Sequence, residues 1–364
     1  MHHHPSPVRL VTFPTMTEPA STTSPTSISS SSSSPRHPTI PDLPSNPKLD
    51  RFKRSRDELV ASSSFYELLQ LYKTHIYRAQ TKKDHSLSSA LALDGASLLL
   101  SHSQGNAGGE LALTLLSTYQ SQSLPPSPPL LTTLLTLFWS FPPNARTSRI
   151  AFMKQAVKWS GEGGKRGDPN LHLSFARFYA SNEGAGEGKE RDYASSHLHY
   201  LFSSQASTSL ALTFGAHIPL TYTPPPPPLT TSSPIFPTYS EHASLLLTSA
   251  SLSPLSELPL HLTRAILHYL ALSDLSSANH LLDSAMTQMS SSRCREVEQD
   301  PLIHFIQFLL KTCERDAGEL FDVLRDKYER VLRRDPEFEG LLDKVGQVYF
   351  GREGKKSLLD SLFA

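Results

Sequence analysis

Apolar side chains recur along most of this chain at spacings of three and four residues, the period of an amphipathic α-helix. The first run extends from Leu49 to Tyr77 and is interrupted near Ala61 to Ser64. Later runs of the same kind are separated by short breaks of Gly, Pro, Ser or Asp, and none shows the sustained alternation of a strand. The periodicity therefore predicts helices joined by tight turns.

The number and length of these helical runs distinguish between the possible all-α architectures. A dozen or more helices with short turns favour an α-solenoid of stacked antiparallel helix hairpins over a single bundle. The roughly 34-residue tetratricopeptide consensus is not visible, so we expect degenerate tetratricopeptide-like repeats. Further helical runs are predicted at 87–100, 111–119, 130–141, 150–159, 171–179, 193–202, 260–272, 275–289 and 302–310.

Two segments depart from this pattern because they are rich in Ser and Pro. Residues 1–46 contain few large apolar residues and are expected to form a disordered tail. Residues 215–239 include five consecutive prolines and predict a Pro-rich loop inserted in the helical array. We therefore expect a solenoid over 47–351, with an N-terminal half at 47–160, a C-terminal half at 161–351 and a short tail at 352–364.

Charge and cysteine content narrow the functional classes. With 34 basic and 34 acidic side chains, bulk charge suggests neither nucleic-acid binding nor a membrane-surface role. Two cysteines without C-x-x-C spacing support neither a disulfide framework nor a four-cysteine zinc site. No apolar run approaches the roughly 18 residues of a membrane span, so direct membrane insertion is not expected. These features predict a cytosolic protein without cofactors.

The segment Arg333 to Pro336 could be a reactive cluster or a turn between helices. Two arginines favour the C-terminal end of one helix, where carbonyl groups are unpaired. Asp335 is suited to cap the next helix, with Pro336 at its first position. The apolar stripe resumes at Phe338 with helical spacing. We interpret the segment as a helix-to-helix turn.

Motifs that would indicate catalysis or metal binding fail their spacing requirements. GREGKKS at 351–357 has its glycines too close together for a phosphate-binding loop. His197 and His199 are two residues apart and diverge on a helix, so a metal site with His172 is not expected. No nucleophile motif is present. The sequence predicts a non-enzymatic protein.

Two regions are candidates for partner binding. KLDRFKRSR at 48–56 and the basic residues that follow concentrate positive charge on the first helix pair. This charge fits either a solvated helix face or a docking face for an acidic protein surface. Near the C-terminus, an apolar stripe from Phe305 to Leu310 is wide enough to cover more than one helix face. It fits either core burial or a groove for a partner helix.

Several segments together resemble the Golgi to ER traffic protein four family, the scaffold of the guided-entry pathway for tail-anchored proteins. They appear in the family's order and cover most of residues 48–351. The segments are FYELLQLYKTHIYR (65–78), DGASLLLSHSQGNAGGEL (94–111), GDPNLH (167–172), PLIHFIQFLLKTC (301–313) and LRRDPEFEGLLDKVGQVYFG (332–351).

The resemblance implies a cytosolic adaptor with an α-solenoid fold. Its N-terminal helices would dock the dimeric ATPase that targets tail-anchored proteins to the endoplasmic reticulum. Its C-terminal helices would bind a ubiquitin-like-domain protein, which indirectly recruits a glutamine-rich tetratricopeptide co-chaperone. The sequence does not decide whether a partner-contacting β-hairpin is present before Pro301. The alternative is a helical-repeat scaffold of another assembly, such as a proteasome-lid or signalosome-like subunit.

Matching residues in these segments are the candidates for each contact. The residues expected at the ATPase face are Tyr72, Lys73, Arg78, Arg54 and Arg56. The residues expected to contact the ubiquitin-like partner are Phe305, Phe308, Leu309, Tyr328 and Leu332. No catalytic or metal-binding residue is expected.

Overall fold

A computed structural model describes residues 47–161, 166–185, 191–204, 237–251, 257–289 and 291–352. These residues form sixteen α-helices and one 3-10 turn, with no strand among them. The first nine helices are α1 Pro47–Ala61, α2 Phe65–Thr81, α3 His85–Ser101, α4 Gly105–Ser121, α5 Pro128–Trp139, α6 Arg146–Ser160, α7 Pro169–Ala180, α8 Asn182–Ala185 and α9 Tyr193–Leu201, with the 3-10 turn Pro143–Ala145 before α6. The remaining helices are α10 Pro237–Ser251, α11 Leu258–Ala271, α12 Leu275–Gln288, α13 Ser291–Glu298, α14 Pro301–Glu314, α15 Gly318–Leu332 and α16 Glu337–Phe350.

Neighbouring helices pack mainly against the elements that precede and follow them. The chain of contacts runs from α2 to α3, α4, α6, α7 and α9, and continues through α10 and α12. Toward the C-terminus, α11 also contacts α14 and α16, and α15 packs between α14 and α16. This arrangement confirms the all-α solenoid of helix hairpins that the sequence predicts.

A recurring turn closes six of these helices. In each turn the second residue after the helix has a positive φ, and the next N–H donates to the carbonyl five residues earlier. After α2, for example, Asp84 N–H donates to the Ala79 carbonyl at 2.9 Å. This is the Schellman arrangement, which usually has glycine at the positive φ. Here the positive-φ residues are Ser63, Lys83, Ser103, Ser123, Ser273 and Asp316.

The buried apolar side chains form two large clusters with a small one between them. The first runs from Leu49 to Tyr179, beyond the boundary near residue 160 suggested by the sequence. The second runs from Leu201 to Val345. The third cluster consists of four buried residues from α7, α9 and α10, namely Leu173, Ala176, Tyr200 and Leu245. Helices α7, α9 and α10 therefore connect the two main cores.

A buried ion pair crosses this junction. Arg177 of α7 donates from Nε and Nη2 to the two carboxylate oxygens of Glu241 on α10, at 2.8 and 2.7 Å. The Tyr200 hydroxyl of α9 donates to the same carboxylate at 3.3 Å. The Arg177 guanidinium is almost fully buried. Because the two side chains form a bidentate pair, each charge compensates the other in a site with little water.

Histidines extend this polar junction into the second core. On α9, His197 Nδ1 lies 2.8 Å from His242 Nε2, and His242 Nδ1 lies 2.9 Å from the Tyr269 hydroxyl. On the other side of α9, His199 Nδ1 lies 2.8 Å from His172 Nδ1 of α7. His197 and His199 therefore diverge as the sequence predicts.

The surroundings of these histidines disfavour the imidazolium form. Burial lowers the pKa of His197 to about 3, with further contributions from His268, Arg264 and His261. Burial lowers the pKa of His199 to about 3 as well; His172 and Lys154 add to the effect, and Asp192 opposes it. Burial and the neighbouring His197 place the pKa of His242 well below its ordinary value.

Other sequence predictions have mixed outcomes. The turn at Arg333 to Pro336 is confirmed, because α15 ends at Leu332 and Asp335 Oδ1 accepts from Glu337 N–H at 3.0 Å. Helix α10 begins at Pro237, so the last three residues of the predicted Pro-rich loop, 237–239, lie in a helix. Residues 215–236 of that loop, the predicted tail 1–46 and residues 353–364 lie outside the described residues.

The recurring turn predicts a stabilising substitution. Lys83→Gly is expected to raise the free energy of unfolding by roughly 0.5–1 kcal/mol, because glycine removes the steric cost of a positive φ. The matched control is Lys82→Gly, one residue earlier at φ −84°, which is expected to lower it. Urea denaturation of both variants measures the difference. A midpoint for Lys83→Gly at or below that of Lys82→Gly would contradict this account of the turn.

The histidine junction predicts acid sensitivity. The pKa values of His197, His199 and His242 are lower in the folded chain than in the unfolded chain, so the unfolded chain binds more protons below about pH 6.5. The free energy of unfolding should therefore fall as the pH decreases, by roughly 2 kcal/mol between pH 7.5 and 5 for each of these histidines.

Urea denaturation at several pH values provides the test. His197→Gln should reduce this pH dependence, whereas His304→Asn, at an exposed position on α14, should retain it. An identical pH dependence in all three proteins would show that the junction histidines do not contribute.

Candidate partner-binding surfaces

The first helix pair holds a polar network that includes two of the predicted ATPase contacts. The Tyr72 hydroxyl of α2 donates to Asp94 of α3, and Arg56 Nη1 of α1 donates to the same carboxylate oxygen at 3.3 Å. The Tyr72 ring is fully buried and packs edge-on against Phe52 at 5.2 Å. Burial, followed by the Asp94 charge, raises the pKa of Tyr72 far above its ordinary value.

Tyr72 is consequently a core residue in this structure, and its contact with the ATPase remains a prediction. Glycine at position 95 is part of the reason, because a Cβ there would lie 2.8 Å from the Tyr72 ring. The ring therefore packs against the α3 backbone instead of facing solvent. Its contribution to the surface is indirect, since it holds Asp94, which in turn holds the half-buried Arg56.

The remaining predicted residues lie nearer to solvent. Lys73 is half-buried and forms an ion pair with Glu110 of α4. Arg54 and Arg78 are exposed, on α1 and α2 respectively. The Arg54 Nε lies 3.4 Å from the carbonyl of Asp50 one turn earlier. Of the five residues predicted for this face, Arg54 and Arg78 are the two most accessible to a partner.

An exposed tyrosine next to Arg78 was missed by the sequence prediction. Tyr77 is 70% exposed, which is high for a large aromatic side chain. The sequence carried no clear signal for this exposure: Tyr77 directly follows buried Ile76, but the adjacent residues Leu68 and Leu69 of the same helix are both buried. An aromatic residue beside a cation is a combination found at protein interfaces.

The predicted C-terminal contact residues divide between core and surface. Phe305 and Leu309 of α14 are fully buried, and Leu332 of α15 is nearly so. The Phe305 ring packs against half-buried Tyr328 with centroids 5.5 Å apart. The side chains of Phe305, Leu309 and Leu332 therefore belong to the second core in this structure, and their contact with the ubiquitin-like partner remains a prediction.

Phe308 remains at the surface with 51% of its area exposed. Two exposed apolar residues on α15, Leu320 and Val323, are 47% and 57% exposed and were not predicted. In sequence they adjoin buried Phe321 and Leu324, so α15 carries more apolar residues than its core-facing side can bury. Val348 on α16 is exposed as well. These exposed apolar side chains make α14 to α16 a candidate protein-binding region.

The described residues also bear on catalytic chemistry. Burial, with the neighbouring Glu314 charge, raises the pKa of the Cys313 thiol to about 12, so this thiol is protonated at neutral pH. Within the described ranges, no set of three or more His, Cys, Asp or Glu side chains is arranged to hold a metal ion. None of the described helices combines the length and apolarity needed to cross a bilayer.

The fold and its exposed surfaces place the chain in the class of α-helical repeat proteins. The family model of Golgi to ER traffic protein 4 matches residues 82–217 and 237–364, and the chain belongs to this family. The first helix pair precedes the matched range.

Individual relatives agree with this assignment. Golgi to ER traffic protein 4 homolog B of Xenopus laevis is 29% identical over 299 residues, covering 82% of this chain and 79% of the relative. The Homo sapiens homolog is 27% identical with the same coverage. Among solved structures, the crystal structure of C. therm. Get4 superposes with a TM-score of 0.66 at 20% identity, covering 87% of this chain and 96% of the other.

Proposed function

We propose that this protein is a non-enzymatic cytosolic adaptor for the insertion of tail-anchored membrane proteins into the endoplasmic reticulum membrane. It would bind the dimeric targeting ATPase through α1 and α2, and a ubiquitin-like-domain protein through α14 to α16. The second partner would bring the glutamine-rich tetratricopeptide co-chaperone and its client. The observation that carries the proposal is the pair of exposed surfaces at the two ends of a helical-repeat chain, one cationic and aromatic, the other apolar.

The chemistry of the N-terminal surface favours an acidic partner. Arg54 and Arg78 are exposed and able to meet carboxylates on an approaching protein. Tyr77 adds exposed aromatic area next to Arg78. Exposed charges of this kind increase the rate of association and fix orientation more than they add affinity, so binding should weaken with salt.

The chemistry of the C-terminal surface favours an apolar partner segment. Leu320 and Val323 are separated by one helical turn and are exposed together on α15. An amphipathic helix or a loop with two or three apolar anchors would cover them. Binding here should depend on buried apolar area and should therefore be less sensitive to salt than binding at α1 and α2.

The scaffold gains its effect from holding two partners at once. When both surfaces are occupied, transfer of a client from the co-chaperone to the ATPase becomes effectively intramolecular. This requires neither a catalytic group nor a cofactor on the scaffold. It requires the two ends of the array to keep a fixed relation, which α7, α9 and α10 would provide through the buried junction.

Charge reversal tests the N-terminal surface. The double variant Arg54→Glu and Arg78→Glu should bind the targeting ATPase at least roughly ten-fold more weakly at low salt, with an unchanged melting temperature because both side chains are exposed. Lys158→Glu, at an exposed position on α6, is the matched control and should bind normally. Isothermal titration calorimetry with the purified ATPase measures both. Unchanged affinity in the double variant would rule out this docking surface.

Introducing charge tests the C-terminal surface. Leu320→Asp with Val323→Asp should abolish binding of the ubiquitin-like-domain protein, because two carboxylates would be buried against an apolar partner. Leu198→Asp is the matched control, since Leu198 on α9 is also large, apolar and exposed. Co-purification and calorimetry provide the measurement. Equal loss of binding in the control, or none in the double variant, would contradict the assignment.

A further inference from the structure

A groove lies where the turn between α3 and α4 meets the start of α2 and the short 3-10 turn. Its volume is about 460 Å³, and it is open to solvent. The lining comes from the start of α2, the α3–α4 turn, the start of α4 and the 3-10 turn. The lining residues are Phe65, Tyr66, Leu69, Ser103, Gln104, Gly105, Asn106, Ala107, Asn144 and Ala145.

One part of this groove is aromatic and apolar. Phe65 and Leu69 are packed against the first core, and Tyr66 is 74% exposed. Tyr66 is the most exposed large apolar or aromatic side chain among the described residues. An aromatic ring at the rim of a groove offers rigid contact area at a small cost in side-chain entropy. The groove therefore suits an occupant with apolar side chains.

The other part is lined with hydrogen-bonding groups and has no charged side chain. The amides of Asn106 and Asn144 are exposed and that of Gln104 is half-buried. Asn106 Oδ1 accepts from the Ser148 hydroxyl at 2.8 Å, and Gln104 Nε2 donates to the His102 carbonyl at 3.4 Å. Glycine at position 105 brings α4 close to the 3-10 turn, because a Cβ there would overlap the Ala145 Cβ. Side-chain amides in such a groove can bond to the backbone of an extended segment.

The backbone gives the groove a positive electrostatic character. The N-terminal residues of α2 and α4 line it, as does the turn that leads into α6. In the described structure no side chain caps these three helices, whereas five other helices are capped by Asp. Those caps are Asp84, Asp168, Asp192, Asp274 and Asp300. The partial positive charge of the helix ends at the groove is offset only by Glu67 in the first turn of α2.

We infer that this groove binds an extended, acidic segment of a partner protein. A carboxylate of the segment would accept hydrogen bonds from uncapped backbone N–H groups and from the amides of Asn106 or Asn144. Neighbouring apolar side chains of the segment would pack on Tyr66 and Leu69. The apolar side chains of the groove and the partial positive charge of the helix ends together favour an acidic segment with apolar neighbours. A helix end alone would not specify this occupant.

This site is distinct from the proposed ATPase surface. Tyr66 and Tyr77 are eleven residues apart on α2, which corresponds to about 16 Å along the helix. Arg54 and Arg78 are not among the residues that line the groove. The groove could therefore fail its test while the two partner surfaces stand, and the reverse is equally possible.

The test uses the full chain and three labelled dodecapeptides of one apolar framework. Two positions in the framework carry Asp, Asn or Lys. Fluorescence anisotropy should show the Asp peptide binding roughly ten-fold more tightly than the Asn peptide, and the Lys peptide more weakly still. Equal binding of the Asp and Asn peptides would overturn the inference. Complete displacement of the Asp peptide by 10-fold excess inorganic phosphate would identify a simple anion site and also overturn it.

Isosteric variants separate binding from folding. Asn106→Asp and Asn144→Asp each place a carboxylate at a helix start, where it should maintain or raise the melting temperature. Each should nevertheless weaken the Asp peptide roughly ten-fold, because the new carboxylate repels the one in the peptide. Gln347→Glu makes the same charge change at an exposed position on α16 and should leave peptide binding unchanged. Equal weakening in all three variants would contradict the location.

Discussion

The buried pair of Arg177 and Glu241 is the interaction on which the continuity of the array depends. It connects α7 at the end of the first core to α10 at the start of the second, across a stretch of chain 64 residues long. Removing either partner would leave an uncompensated buried charge, which typically costs several kcal/mol. His197 and His242 lie beside this pair and must stay neutral for the junction to remain packed. Their protonation is disfavoured because they too are buried.

The helical architecture could be predicted from the sequence because its signals are local. The period of the apolar residues identified most helices, and Arg333 to Pro336 gave one turn correctly. Helix α10 was missed because serines and threonines interrupt its apolar residues. The repeating turn was also missed, since serine, lysine and aspartate occupy the positive-φ position where glycine is the usual signal.

The candidate surfaces were harder to predict than the fold. Periodicity identifies the face of a helix that is apolar, but it does not say whether a neighbouring helix covers that face. Phe305 and Phe308 illustrate this, since one is fully buried and the other half exposed on the same helix. Tyr72 and Tyr77 differ in the same way on α2. The deciding factor is tertiary packing against α3 and α15, which depends on contacts between residues far apart in sequence.

As a scaffold, the protein must bind both partners at the same time, one at each end surface. The most direct measurement is native mass spectrometry of the chain mixed with the targeting ATPase and the ubiquitin-like-domain protein. The account predicts a single complex that contains the ATPase dimer, this chain and the second partner. Only binary complexes, with each partner displacing the other, would contradict the claim that the two partners occupy separate surfaces of one continuous array.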